Sequence, residues 1–66
     1  MTLTTEQQST LEKITHRLST MTSSGDREND HVKADELLLD ALVVLGGSAI
    51  ARAYRGARDR IGFWYA

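Results

Sequence analysis

Nine consecutive residues, Leu37 to Leu45, hold a single polar side chain, Asp40. In a helix such a stretch is apolar on nearly every side, so it cannot behave as a surface helix with one buried stripe. It must lie centrally with neighbours on more than one side, or bury a second face in another molecule. The chain that has to supply those neighbours is only 66 residues long. Size scaling takes such a chain from roughly 10,600 Å² of unfolded surface to roughly 4,200 Å² in a compact fold, so only about 60% is buried. With no cysteine, neither disulfides nor a cysteine-based zinc site can brace it. That leaves tight helix packing or self-association as the supplement. The length also excludes a two-domain enzyme with a cleft between lobes.

The chain has no proline, and its glycines fall at 25, 46, 47, 56 and 62, so helix breaks are confined to a few places. The pattern predicts an all-α, three-helix chain with helices over about 6–22, 27–45 and 48–62, in one domain. Residues 1–25 form an N-terminal helix and loop, and 26–66 an antiparallel hairpin of the second and third helices. Leu11, Ile14, Leu18 and Met21 recur at spacings of three and four, a narrow stripe that resembles a coiled-coil seam. Thr5 with Gln8 reads as a capping box that starts the first helix near Glu6. Asp26 is placed to cap the second helix and Ser48 the third, with Gly46-Gly47 as the stop between them. In the third helix Ile50, Tyr54, Ala57, Ile61 and Trp64 share one face, with Arg52, Arg55 and Asp59 turned away and Arg55 at pairing distance from Asp59. Gly56 within that helix costs about 1 kcal/mol relative to alanine and predicts a close approach to a neighbouring helix. The apolar positions Leu11, Ile14, Leu18, Leu38 and Leu42, with Trp64 and Tyr65 of the aromatic end Phe63-Trp64-Tyr65, are the candidate interaction residues. They predict completion of the fold by a homo-oligomer or by docking on a host protein.

The net charge of −1 conceals a division by segment. Asp26, Glu28, Asp30, Asp35, Glu36 and Asp40 against Arg27 and Lys33 give residues 26–40 a charge of −4, whereas Arg52, Arg55, Arg58 and Arg60 against Asp59 give residues 48–66 a charge of +3. In a hairpin these segments are neighbours, and pairing between them is the simplest account of both. A second account is a nucleic-acid surface along Arg52, Arg55 and Arg58. The near-neutral total predicts no general affinity for nucleic acid or anionic membrane. A helix-turn-helix register also fails, since the positions that should be apolar in its second helix fall on Arg52 and Arg55, or on Ala53 and Gly56.

Glu28, His31 and Asp35 stand at i, i+3 and i+7 on one helix face, and Glu-x-x-His is half of the unit that di-metal bundles use. A metal or a small anionic ligand held there in an oligomer is a third account, although one copy makes no metal site and no cofactor is expected. Asp35 immediately precedes the apolar run and is expected to turn inward while Glu36 turns out, with His31 or an arginine of the third helix as its partner. Nothing in the chain provides a cysteine nucleophile, a Gly-x-Ser-x-Gly turn, a phosphate-binding glycine loop or a His-Glu-x-x-His pair, so a non-catalytic role is expected. The N-terminus lacks a secretory signal pattern, and the longest apolar run is far short of the roughly 20 residues that span a bilayer. A cytoplasmic protein without a membrane span is the expectation.

The order of an acidic cluster, His31-x-x-Ala34-Asp35-x-Leu37-Leu38, a Leu/Val run ending in Leu45-Gly46, Ala53-Tyr54 and a Trp64-Tyr65-Ala66 end resembles a group of short uncharacterised bacterial and phage-type proteins. The resemblance covers about two-thirds of the chain. It implies a small accessory protein of a phage, a prophage or its bacterial host, with His31, Asp35, Trp64 and Tyr65 as positions of interest, and it implies no activity.

Overall fold

The computed structural model describes residues 2–62, which form three helices and no strand: α1 (Thr5–Ser19), α2 (Arg27–Val44) and α3 (Ser48–Ile61). The tandem Thr4-Thr5 offers two overlapping capping boxes, and the fold uses the earlier one. Thr4 Oγ1 accepts the Gln7 N–H at 3.1 Å and Gln7 Oε1 accepts the Thr4 N–H at 2.8 Å. The expected Thr5–Gln8 box is therefore shifted by one residue. A tertiary contact favours this register, because Gln7 Nε2 also donates to the Val44 carbonyl at 3.0 Å. One side chain thus closes the start of α1 and ties it to the end of α2.

α1 stops at Ser19, three residues before the expected end. Thr20 turns its hydroxyl back to the His16 carbonyl at 2.9 Å, and Met21 closes a tight last turn onto the Leu18 carbonyl. The connection to α2 is held by Asp30, whose carboxylate accepts both the Ser24 N–H at 2.9 Å and the Ser24 hydroxyl at 2.6 Å. Asp26 caps α2 by accepting the Asn29 N–H at 3.0 Å, as its position predicts.

The turn from α2 to α3 explains why two glycines are needed. Gly46 lies at φ +90°, with its N–H on the Val43 carbonyl, and the Gly47 N–H reaches the Leu42 carbonyl at 2.7 Å. This paired closure of a helix end requires a left-handed residue at Gly46. A Cβ at Gly47 would stand 3.0 Å from the Leu42 carbonyl oxygen, backbone that cannot move aside. Gly47 also takes the N-cap place of α3 without a side-chain hydrogen bond, so Ser48 is the first helical residue and not the expected cap.

The arrangement of the helices follows from α2. Leu37 and Leu39 are its two buried residues, and two positions along a helix place them about 200° apart, on opposite sides of the axis. Leu37 lines a groove with Arg17 of α1 and Met21 just beyond its end, while Leu39 lines another with Ile50 and Tyr54 of α3. Ile14 of α1 and Ala51 of α3, the latter with no exposed surface, complete the buried set. α2 packs against both neighbours, and α1 and α3 do not touch. The hairpin expected for α2 and α3 is present, and α1 packs within its own chain on the far edge of α2.

Three helices side by side make a layer one helix thick. The principal extents are 36 × 28 × 12 Å, so the chain is markedly flat. The radius of gyration is 13.3 Å, against roughly 11 Å for a compact chain of this length. The accessible surface is 5131 Å², well above the roughly 4,200 Å² of a compact fold.

Gly56 does not mark a close approach between helices. A Cβ there would meet only the flexible guanidinium of Arg60, at 3.2 Å and on the same helix. Gly56→Ala is therefore expected to stabilise the chain by about 0.5–1 kcal/mol through the helix preference of alanine. Urea unfolding would show this as a raised midpoint at unchanged slope; a lowered midpoint would mean that another helix does press against this position.

Candidate interaction face

A layer has two broad faces, and the sequence makes them unlike. On one face Lys33, Glu36 and Asp40 of α2 and Arg17 of α1 surround a groove of about 360 Å³ floored by Met21, Val32 and Leu37. Glu36 is the charge centre of this face. It receives Arg55 Nη2 at 2.8 Å on one carboxylate oxygen and Arg58 Nη2 at 3.0 Å on the other, and Arg55 also stands 3.7 Å from Asp40. The two guanidinium hydrogen bonds hold the Glu36 carboxyl below the usual glutamate value.

These contacts put His31 beside Asp35, one of its two expected partners, and send the arginines to Glu36. Glu36 takes the arginines, whereas Asp35, half-buried as expected, accepts the Tyr54 hydroxyl at 3.1 Å and lies 3.8 Å from His31 Nε2. Arg55 faces α2 and pairs with Glu36 and Asp40 instead of turning away to Asp59. Of the proposed nucleic-acid stripe, Arg55 and Arg58 are engaged in this pairing between helices and Arg52 is exposed. Pairing between the oppositely charged segments thus takes up Arg55 and Arg58 with Glu36 and Asp40. His31 and Asp35 are brought together, but among the described residues no three His, Asp or Glu side chains are grouped closely enough to hold a metal ion, so Glu28, His31 and Asp35 do not converge on one in this chain.

The second broad face is apolar. Leu38 is 59% exposed and Ile50 is 65% exposed, and between them lies a hollow of about 150 Å³ lined by Asp35, Leu39, Leu42 and Tyr54 as well. Ile61 of the same α3 stripe is 67% exposed, and Leu45 continues the exposed row of α2. Leu18 and Leu11 lie roughly 100–120° round α1 from Arg17, which lines the polar groove, and so belong to the apolar side. Asp35 and His31 mark the N-terminal end of this face on α2.

Of the predicted interaction residues, Leu38 is fully presented, Leu42 lines the hollow and Leu11 and Leu18 lie at the margin. Ile14 is buried between α1 and α2 and is part of the core instead. Trp64 and Tyr65 lie outside the described residues. Leu45 of the α2 end and Ile50, Tyr54 and Ile61 of α3 were the missed members of the face. The α3 stripe is visible in the sequence, but it reads equally well as internal packing of that helix.

No helix among the described residues is long and apolar enough to cross a membrane. No protein-family model matches the chain, nor does any curated protein or solved structure.

The Glu36 cluster gives the fold a defined acid limb. A carboxyl lowered in the folded state contributes stability above its unfolded value, ordinarily 4.5 for this residue, and loses it as the pH falls through the lower folded value. Asp30, lowered by its two Ser24 hydrogen bonds, acts in the same direction. Stability measured by urea unfolding should hold from neutral pH to about the ordinary glutamate range and decline below it. Glu36→Gln should reduce stability at neutral pH and flatten that decline; an unchanged acid limb would show that the arginine pairing carries no net stability.

Proposed function

We propose that the chain is a small non-catalytic helical interaction protein, and that it works by pairing its apolar broad face with the same face of a second copy. The observation that carries this reading is the exposed row of Leu38, Leu45, Ile50 and Ile61, which no helix among the described residues covers. Helical domains close a core by packing two layers together, and this chain supplies one. A face of 36 by 28 Å offers about 1,000 Å², enough for the roughly 800 Å² per partner of a stable interface. The surface also has relief that a second copy could use. Leu38 and Ile50 project beside a hollow of about 150 Å³, and a cavity of about that volume takes a benzene-sized apolar group. A leucine or isoleucine of the second copy matches it in size and chemistry. Within this reading, the role of accessory protein to a phage, a prophage or its bacterial host rests on the sequence resemblance alone.

Sedimentation of the purified chain across a concentration series tests the proposal. The expected result is a reversible monomer–dimer equilibrium in the wild type. Leu38→Glu and Ile50→Glu each place a carboxylate in the apolar contact, and each should weaken association at least about 100-fold, the equivalent of roughly 3 kcal/mol. Lys33→Glu on the polar face should leave association unchanged. A wild-type chain that stays monomeric at every accessible concentration would overturn the proposal and leave a different protein as the occupant of the face.

A further inference from the structure

Two copies can stack through this face with their central helices running the same way or opposite ways, and the placement of charge on α2 separates the two cases. α2 is the middle helix of the layer, so it lies over its own counterpart in either arrangement. Leu38, its most exposed apolar side chain, is ~4 Å from the helix midpoint. Seven residues before Leu38 comes His31, and seven residues after it comes Leu45, all three on one side of the helix.

The acids of the chain are concentrated toward the start of α2. On the Leu38 side of α2 the acids Glu28, Asp30 and Asp35 all precede Leu38 and none follows it before the turn, Glu36 and Asp40 lying on the polar face. Parallel stacking would lay this acidic half directly on its counterpart and align the two helix dipoles head to head. Antiparallel stacking about Leu38 sets the acidic half of each copy against the apolar end of the other. It separates the two His31 positions by ~21 Å along the axis and opposes the dipoles. Like charges brought together across an interface are costly, and complementary placement sets the register.

Resting on the self-association reading, we infer that the dimer is two-fold symmetric with antiparallel α2 helices crossing at Leu38, so that His31 of each copy lies beside Leu45 of the other. Leu38 of one copy then meets Leu38 of the other, and Ile50 falls at the level of Tyr54 across the interface, next to the hollow that receives it.

The chain contains no cysteine, so single cysteines report the arrangement directly. His31→Cys, Leu45→Cys and Leu38→Cys are each made alone, and the first two are also mixed, before treatment with a short bis-maleimide and denaturing electrophoresis. All three positions are exposed, and circular dichroism of each variant verifies that it folds. The expected result is efficient coupling of Leu38→Cys with itself and of His31→Cys with Leu45→Cys in the mixture, with His31→Cys alone coupling at least tenfold less. Self-coupling of His31→Cys as efficient as that of the mixture would overturn the antiparallel arrangement in favour of the parallel one while leaving self-association intact. Coupling at Leu38→Cys without coupling in the mixture would also overturn it. Failure of every variant to couple, together with a monomeric wild type in sedimentation, would overturn the self-association reading itself.

Discussion

Burial of Leu37 and Leu39 on opposite sides of one helix is the constraint from which the rest of the structure follows. Two apolar residues at a spacing of two cannot be satisfied by a single neighbour. α2 therefore acquires one partner on each side, and with a chain this short those partners are α1 and α3. The outcome is a layer and not a bundle. A three-helix bundle would let α1 and α3 close on each other and cover a third side of α2. Here the third side, marked by Leu38 and Leu45, has no helix among the described residues to cover it. Burying such side chains is worth roughly 1.5–3 kcal/mol apiece relative to leaving them in water. A second layer is thus favoured by the same term that assembles the first.

Polar contacts decide which way the layer faces. Glu36 collects Arg55 and Arg58, and Asp40 lies beside Arg55, so the charges that join α2 to α3 are gathered on one broad face. Gln7 and the Ser24–Asp30 contacts pin the two ends of the α1–α2 pair. Individually such exposed contacts contribute little. Together they hold α1 and α3 at fixed rotations about their axes, which directs Ile50, Tyr54 and Ile61 to the side away from Glu36. The apolar face is therefore a consequence of where the ion pairs form as much as of where the leucines fall.

Much of this was legible in the residues and some of it was not. The three helices, the Asp26 cap and the Gly46-Gly47 stop were readable because each rests on local chemistry: periodicity, an acceptor at the right offset, or a left-handed position. The excess hydrophobicity of Leu37–Leu45 was readable for the same reason, and so was the demand for cover that it raises. That Glu36, and not its neighbour Asp35, takes the arginines was not. These neighbours lie about 100° apart on α2, and which one meets the arginines depends on the rotation of α3, a tertiary variable that periodicity leaves free. The assignment of Ile14 to a partner failed for a related reason, since a narrow seam looks alike whether its groove is supplied by the same chain or another. Thr4 and Thr5 were equivalent caps until the contact from Gln7 to the far end of α2 separated them.

One chain forms a single layer, and the proposal is that a second copy covers its apolar face. Small-angle X-ray scattering over a dilution series measures both. The account predicts a dilute species with the mass of one chain and a radius of gyration near 13 Å, giving way on concentration to a species of twice the mass whose shortest dimension is that of two stacked helices. A species of one-chain mass at every concentration, with a radius near the roughly 11 Å of a compact 66-residue chain, would contradict it by showing that the chain covers the face by itself.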